Sequence, residues 1–113
     1  MVVEDDEPIR DTLREIIEME GYRVVTAANG RDALTYLRAG ELPSLMLLDL
    51  MMPVMNGWEL YGLMQEEATL AAIPVVILTA AGPRATQSIE MPRVEHKPLR
   101  IERLIEMLHD CAN

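Results

Sequence analysis

At 113 residues, half of them apolar, the chain has the length and composition of one globular domain with a substantial core. A formal charge of −9 argues against nucleic-acid contact by this domain. No apolar run approaches the roughly 18–20 residues of a membrane span, and a lone cysteine, Cys111, leaves no internal disulfide.

The elements follow in chain order. Residues 1–4 are a short apolar run and predict a first strand. The stretch DDEPIRDTLREIIEMEG carries helix punctuation: Asp5 or Asp6 can cap it, Pro8 suits its first turn and Gly21 can end it. Ile9, Leu13, Ile16 and Ile17 share one face of that helix. Residues 22–27 predict a second strand. A second helix over 29–40 turns Ala33, Leu34 and Leu37 inward and stops at Gly40. A third strand runs over 44–49, a third helix over 56–68 and a fourth strand over 73–78, the last without a polar interruption, as in a strand covered on both faces. Residues 93–96 predict a weak fifth strand. The final helix, 100–111, carries Ile101, Leu104, Ile105 and Leu108. Between strands four and five, AAGPRATQSIEMPRVEH holds two prolines and a weak apolar face, so the fourth helix is expected to be short or irregular. Alternating strands and helices at this spacing predict an α/β fold, a doubly wound five-stranded parallel sheet with helices on both faces. The chain reads as a single domain over 1–113, stand-alone or cut from a longer protein. No basic segment opens it, so no signal peptide is expected, and a cytoplasmic location with no membrane contact is the expectation.

Ligands of such sheets sit beyond the carboxyl ends of the strands. Those ends carry Glu4, Asp5 and Asp6 on the first strand, Asp49 on the third, Thr79 on the fourth and Lys97 just after the fifth. Several carboxylates in one spot do not all stay ionised without a cation. Hard oxygen ligands suit Mg²⁺, which keeps waters and often shares a phosphate. A lysine and a threonine hydroxyl can meet phosphoryl oxygens, and an aspartate held at such a metal can accept a phosphoryl group. Asp49, in the otherwise apolar run LMLLD, is therefore the candidate nucleophile.

With those residues in view, the segments VVEDDEPIR, LLDLMMPVMNGWEL, VVILTA and HKPL, in that order, resemble the receiver domain of bacterial two-component response regulators, a flavodoxin-like fold. The resemblance covers essentially the whole chain. It implies a phosphorelay switch: a sensor histidine kinase or phosphotransfer protein passes a phosphoryl group to Asp49 with Mg²⁺, and the change is read by an output domain or a downstream protein. Such a domain is a signalling module that catalyses only its own phosphorylation and dephosphorylation. By the same resemblance Glu4 and Asp5 hold the metal with Asp49 and the backbone carbonyl of Met51. Asp6 then caps the first helix and is the lesser metal candidate. Thr79 matches the switch hydroxyl, Lys97 the phosphate-binding lysine, and Pro53 and Gly57 the loop after the third strand. Two departures stand out. Thr79 and Lys97 are 18 positions apart, a few fewer than is usual, and Val94 stands where the family carries Tyr or Phe. With no ring to swing at 94, a monomer is expected rather than a phosphorylation-driven dimer.

Taken singly, each signal has a plainer reading. EDDE suits a solvated helix N-terminus, Asp49 a turn, Thr79 a structural hydroxyl and Lys97 a surface charge; their joint placement at the strand ends favours the site. His96 and His109 read as surface histidines, and the nine methionines as core filler. A phosphohydrolase of the haloacid dehalogenase type would want a second aspartate two residues after the nucleophile, where Met51 stands. A degenerate receiver acting as a scaffold would lack chemical residues that are present here.

Overall fold

The computed structural model describes residues 1–40, 42–50, 52–79, 94–96 and 100–112; of residues 79, 94, 96, 111 and 112 it describes the backbone. Its elements are β1 (Val2–Val3), α1 (Glu7–Met19), β2 (Thr26–Ala27), α2 (Gly30–Arg38), β3 (Met46–Asp49), α3 (Gly57–Gln65), α4 (Ala68–Ala71), β4 (Val75–Thr79), β5 (Val94–His96) and α5 (Ile101–Ala112). The five strands form one sheet in the order β2-β1-β3-β4-β5, and every pairing is parallel. The chain moves from β1 outward to β2, then returns past β1 to β3 and continues to β5. Winding therefore reverses between β1 and β3, and the crossover helices fall on opposite faces.

Two cores lie on those faces. Val3, Met46, Leu48, Val75 and Ile77 point to one, where they meet Ala33, Leu34 and Leu37 of α2 and Leu60 and Met64 of α3. Val2, Leu47, Val76 and Leu78 point to the other, under Leu13 and Ile17 of α1 and Leu104, Met107 and Leu108 of α5. The period-two alternation of strands explains why neighbouring apolar residues serve different cores. Each fully buried Leu, Ile or Met contributes about 1.5–3 kcal/mol relative to exposure, so both layers are needed.

The helix punctuation works through identifiable bonds. Asp6 caps α1 by accepting from the Ile9 N–H at 3.1 Å. Gly21, at φ +91°, closes α1 by donating to the Glu18 carbonyl at 3.0 Å while Tyr22 N–H reaches Ile17 at 3.4 Å. Asn29 and Asn56 cap α2 and α3 in the manner of Asp6.

Some expectations change. β1 and β2 are two residues each, shorter than the apolar runs that contain them, although Val2 N–H still bonds the Val25 carbonyl at 2.9 Å. The single helix expected over 56–68 ends at Gln65, and a separate turn of helix, α4, follows. Ile9 (38% exposed) and Ile101 (53%) sit in the first turns of their helices, beyond the edge of the core, instead of inside it. Met107, fully buried, takes the place expected for Ile105, which is only half-buried. The segment in which the short or irregular helix was expected lies outside the described residues.

Candidate functional site

β1 and β3 are neighbours with Val2 opposite Leu47 and Val3 opposite Leu48. Carried one residue on, this register sets Glu4 beside Asp49 at the carboxyl ends of the two central strands, where winding reverses. Glu4 N–H bonds the Ala27 carbonyl at 3.0 Å, which fixes the turn out of β1. Both side chains are buried, Glu4 at 2% and Asp49 at 3% exposure, while Asp5 next to them is open to solvent. One carboxylate oxygen from each of Glu4, Asp5 and Asp49 lies within 4.8 Å of the others.

Local structure explains how the acids are held. Asp6 N–H donates to Glu4 Oε1 at 3.2 Å, and Arg10 Nη1, from the first turns of α1, donates to the Glu4 carbonyl at 3.1 Å. The Asp6 carboxylate is committed to the α1 cap and is not a member of the cluster. Asp49 ends a strand whose four residues are all buried, so its place is set by three hydrocarbon neighbours in the strand. The α3 N-terminus closes against it: Gly57 N–H bonds the Leu50 carbonyl at 3.0 Å, and a Cβ at Gly57 would lie 2.5 Å from the Asp49 carbonyl oxygen. Only glycine allows that approach. β4 runs one residue past Leu78, the register partner of Asp49, to Thr79, whose own partner in β5 is His96, so the fourth and fifth strands end one residue beyond the level of Asp49. Met51 and Lys97 lie outside the described residues.

Three clustered carboxylates, two of them desolvated, form an unfavourable arrangement on their own. The donor set is all hard oxygen and has an open side at Asp5, which fits a small divalent cation that keeps part of its water shell. Two parts of the arrangement escape a reading of the sequence. Asn29-Gly30 looks only like a helix start, yet Gly30 N–H also donates to the Met55 carbonyl at 2.9 Å, tying α2 to the loop after Asp49. The bond from Arg10 to the Glu4 carbonyl is the other, since it depends on the turn between β1 and α1; the spacing of Arg10 from the acidic pair marks the register of the acids but not this contact.

A doubly wound parallel sheet with an acidic cradle around a strand-end aspartate defines a class of α/β domain. The chain matches the family model of the response regulator receiver domain over residues 1–109 and belongs to that family. It is similar to the "Probable transcriptional regulator ycf27" of Cyanophora paradoxa, with 45% identity over 82 residues, which is 73% of this chain and 33% of that protein. It is similar also to the alkaline phosphatase synthesis transcriptional regulatory protein SphR of Synechococcus elongatus, with 36% identity over 88 residues, 71% of this chain and 34% of that protein. The matched stretch is thus about a third of the length of these relatives. Among solved structures, the signal receiver domain of a signal transduction histidine kinase from Syntrophus aciditrophicus matches with TM-score 0.87 and 30% identity, over 97% of this chain and 86% of that one. The chemotaxis response regulator CheY4 of Vibrio cholerae matches with TM-score 0.85 and 27% identity, over 97% and 94%. Among the described residues no helix is long and apolar enough to cross a membrane.

Proposed function

We propose that this domain is the phosphoacceptor switch of a phosphorelay, taking a phosphoryl group onto Asp49 in a Mg²⁺-dependent reaction. The observation that supports this most is the convergence of Glu4, Asp5 and Asp49 at the switch point of the sheet, with Asp49 buried at the end of β3. Glu4 and Asp5 would hold the metal together with Asp49 and the Met51 carbonyl, Glu4 in part through water. When bound, Mg²⁺ offsets the carboxylate charges and polarises the phosphoryl oxygens. A carboxylate oxygen of Asp49 attacks phosphorus in line, the N–P bond of the donor's phosphohistidine breaks, and the imidazole leaves with the bonding pair. The Lys97 ammonium and the Thr79 hydroxyl each meet a phosphoryl oxygen of the product.

The donor is a sensor histidine kinase or a phosphotransfer protein. The domain lies in the cytoplasm, covers residues 1–113 as one unit and signals by changing its contact with an output domain or a downstream protein. Two of the relatives are described as transcriptional regulators and are about three times as long as the matched stretch. This supports an output outside that stretch, since a surface with formal charge −9 is a poor partner for phosphates of nucleic acid.

Incubation with Mg²⁺ and acetyl phosphate or phosphoramidate should add the mass of one phosphoryl group. Asp49→Asn should remain unlabelled. Equal labelling of that variant, or steady hydrolysis of small phosphate esters by the wild type, would overturn the assignment.

A further inference from the structure

Glu4 is held at three points. Its N–H donates to the Ala27 carbonyl at 3.0 Å, its carboxylate accepts from the Asp6 N–H at 3.2 Å, and its carbonyl accepts from Arg10 Nη1 at 3.1 Å. The third bond comes from a side chain of α1 and reaches back across the turn that carries Asp5 and Asp6. β1 ends at Val3, so the carbonyl that Arg10 grips lies just past the strand, where the chain bends toward the helix. The choice of partner is informative. Glu7 stands three residues before Arg10 and Asp11 directly after it, so α1 offers carboxylates for an ion pair. Arg14, one turn further on, takes that option, lying 3.7 Å from Asp11 and 3.8 Å from Glu18. Among the described residues Arg10 is in no ion pair; its guanidinium turns to a backbone carbonyl instead. Arg10 is half-buried, and a bond with an ionised donor is stronger than a neutral one.

We infer that Arg10 is a positioning residue for the metal site, fixing the turn that presents Glu4 and Asp5 to the ion. This rests on the reading of Glu4, Asp5 and Asp49 as a Mg²⁺ site. The peptide unit whose oxygen Arg10 holds is the one that joins Glu4 to Asp5. A rotation of that unit moves the two carboxylates relative to each other and to Asp49, and Mg²⁺ tolerates little departure from its preferred geometry. The guanidinium also brings a positive charge toward a cation site, which by itself opposes binding. The two effects have opposite signs and respond differently to solvent. The charge effect is damped by water and by salt, whereas the bond sets geometry at any ionic strength. Positioning therefore outweighs repulsion in physiological salt, and loss of Arg10 weakens the site although it removes a competing charge.

The test uses the whole chain, with Tm measured in the absence of Mg²⁺ and Mg²⁺ affinity titrated by calorimetry in about 0.15 M salt. Arg10→Met keeps the apolar stem and removes both donor and charge. It should weaken Mg²⁺ binding about tenfold, the low end of what losing the support of a metal ligand does. Arg10→Lys keeps the charge and a donor on a shorter reach, and its affinity should fall between those of Arg10→Met and the wild type. Arg14→Met removes the same charge one turn further along α1 and should bind Mg²⁺ as the wild type does. Unchanged affinity in Arg10→Met, with or without a lower Tm, makes Arg10 a structural residue and overturns the inference. Tighter binding in Arg10→Met shows that repulsion dominates and overturns it as well. Equal weakening in Arg14→Met traces the loss to a general disturbance of α1, with the same result. In each of these cases the metal site stands. Failure of the wild type to bind Mg²⁺ overturns the functional reading and this inference with it.

Discussion

Asp5 and Asp6 are adjacent carboxylates with different surroundings. Asp5 belongs to the three-acid cluster, whereas the Asp6 carboxylate accepts the Ile9 N–H. The expected outcomes therefore diverge. Mg²⁺ at tenfold its Kd should stabilise the wild type by about 1.4 kcal/mol, and Asp5→Ala should abolish that rise in Tm. Asp6→Ala should lower the starting Tm, since losing a cap costs about 1 kcal/mol, yet keep the Mg²⁺-dependent rise. Thermal melts of the three proteins with and without Mg²⁺ decide it; loss of the rise in Asp6→Ala alone would put the metal ligands one residue later. Two glycines of α3 diverge in the same way. A Cβ at Gly57 would press on the Asp49 carbonyl at 2.5 Å and the Leu50 Cα at 2.8 Å, while a Cβ at Gly62 would meet nothing within 4 Å. Gly57→Ala should destabilise by about 1–3 kcal/mol through overpacking and slow labelling of Asp49 by moving its backbone. Gly62→Ala should stabilise by about 0.5–1 kcal/mol, as expected in an open helix interior, and leave labelling unchanged. Denaturant unfolding and the phosphorylation assay read both effects.

At the scale of elements, the alternation of strand and helix was legible because each periodic run is bounded by its own cap or stop, Asp6 and Gly21, Asn29 and Gly40. Alternation implied a doubly wound sheet with its polar signals at the strand ends, whereas the reversal between β1 and β3 that brings Glu4, Asp5 and Asp49 together is read from the strand pairing. What was not legible depends on tertiary contact. Ile9 and Ile101 satisfy a helical apolar face, but each stands in a first turn, where the helix has run past the core. The break between α3 and α4 falls at Glu66 and Glu67, good helix formers that give no local warning. Glu67, the α4 N-cap residue, makes no side-chain cap bond and instead lies 3.6 Å from Arg38 of α2. Val54, at φ +67° on the loop between β3 and α3, is the sharpest case. Its type favours extended backbone, so local preference opposes that conformation, and only the bonds from Gly30 and Gly57 at either end explain it.

At the scale of the whole molecule, the question is whether the switch recruits a second copy of itself. The outer surface of β5 and α5 is where Arg103 lies, and each of its three nitrogens already contacts a glutamate of its own subunit. Its Nε and Nη2 both reach Glu95 Oε1 at 2.9 Å, and its Nη1 reaches Glu106 Oε2 at 3.0 Å. These bonds, that to Glu95 first and that to Glu106 second, raise the pKa of the guanidinium above its ordinary value, so it stays a cation inside its own subunit's network. A partner carboxylate would have to compete with both glutamates for the guanidinium. Exposed pairs of this kind are individually weak, so the network alone would not prevent assembly. Two further features act in the same direction. Each copy carries a formal charge of −9, so like surfaces repel, and position 94 holds Val, not an aromatic residue. Sedimentation of the protein with Mg²⁺ and beryllofluoride, a phosphoryl mimic, should therefore give a monomer at concentrations where the mimic saturates Asp49. A mimic-dependent dimer that Arg103→Ala abolishes would mean the opposite: that charging Asp49 frees Arg103 from Glu95 and Glu106 and hands it to a second copy.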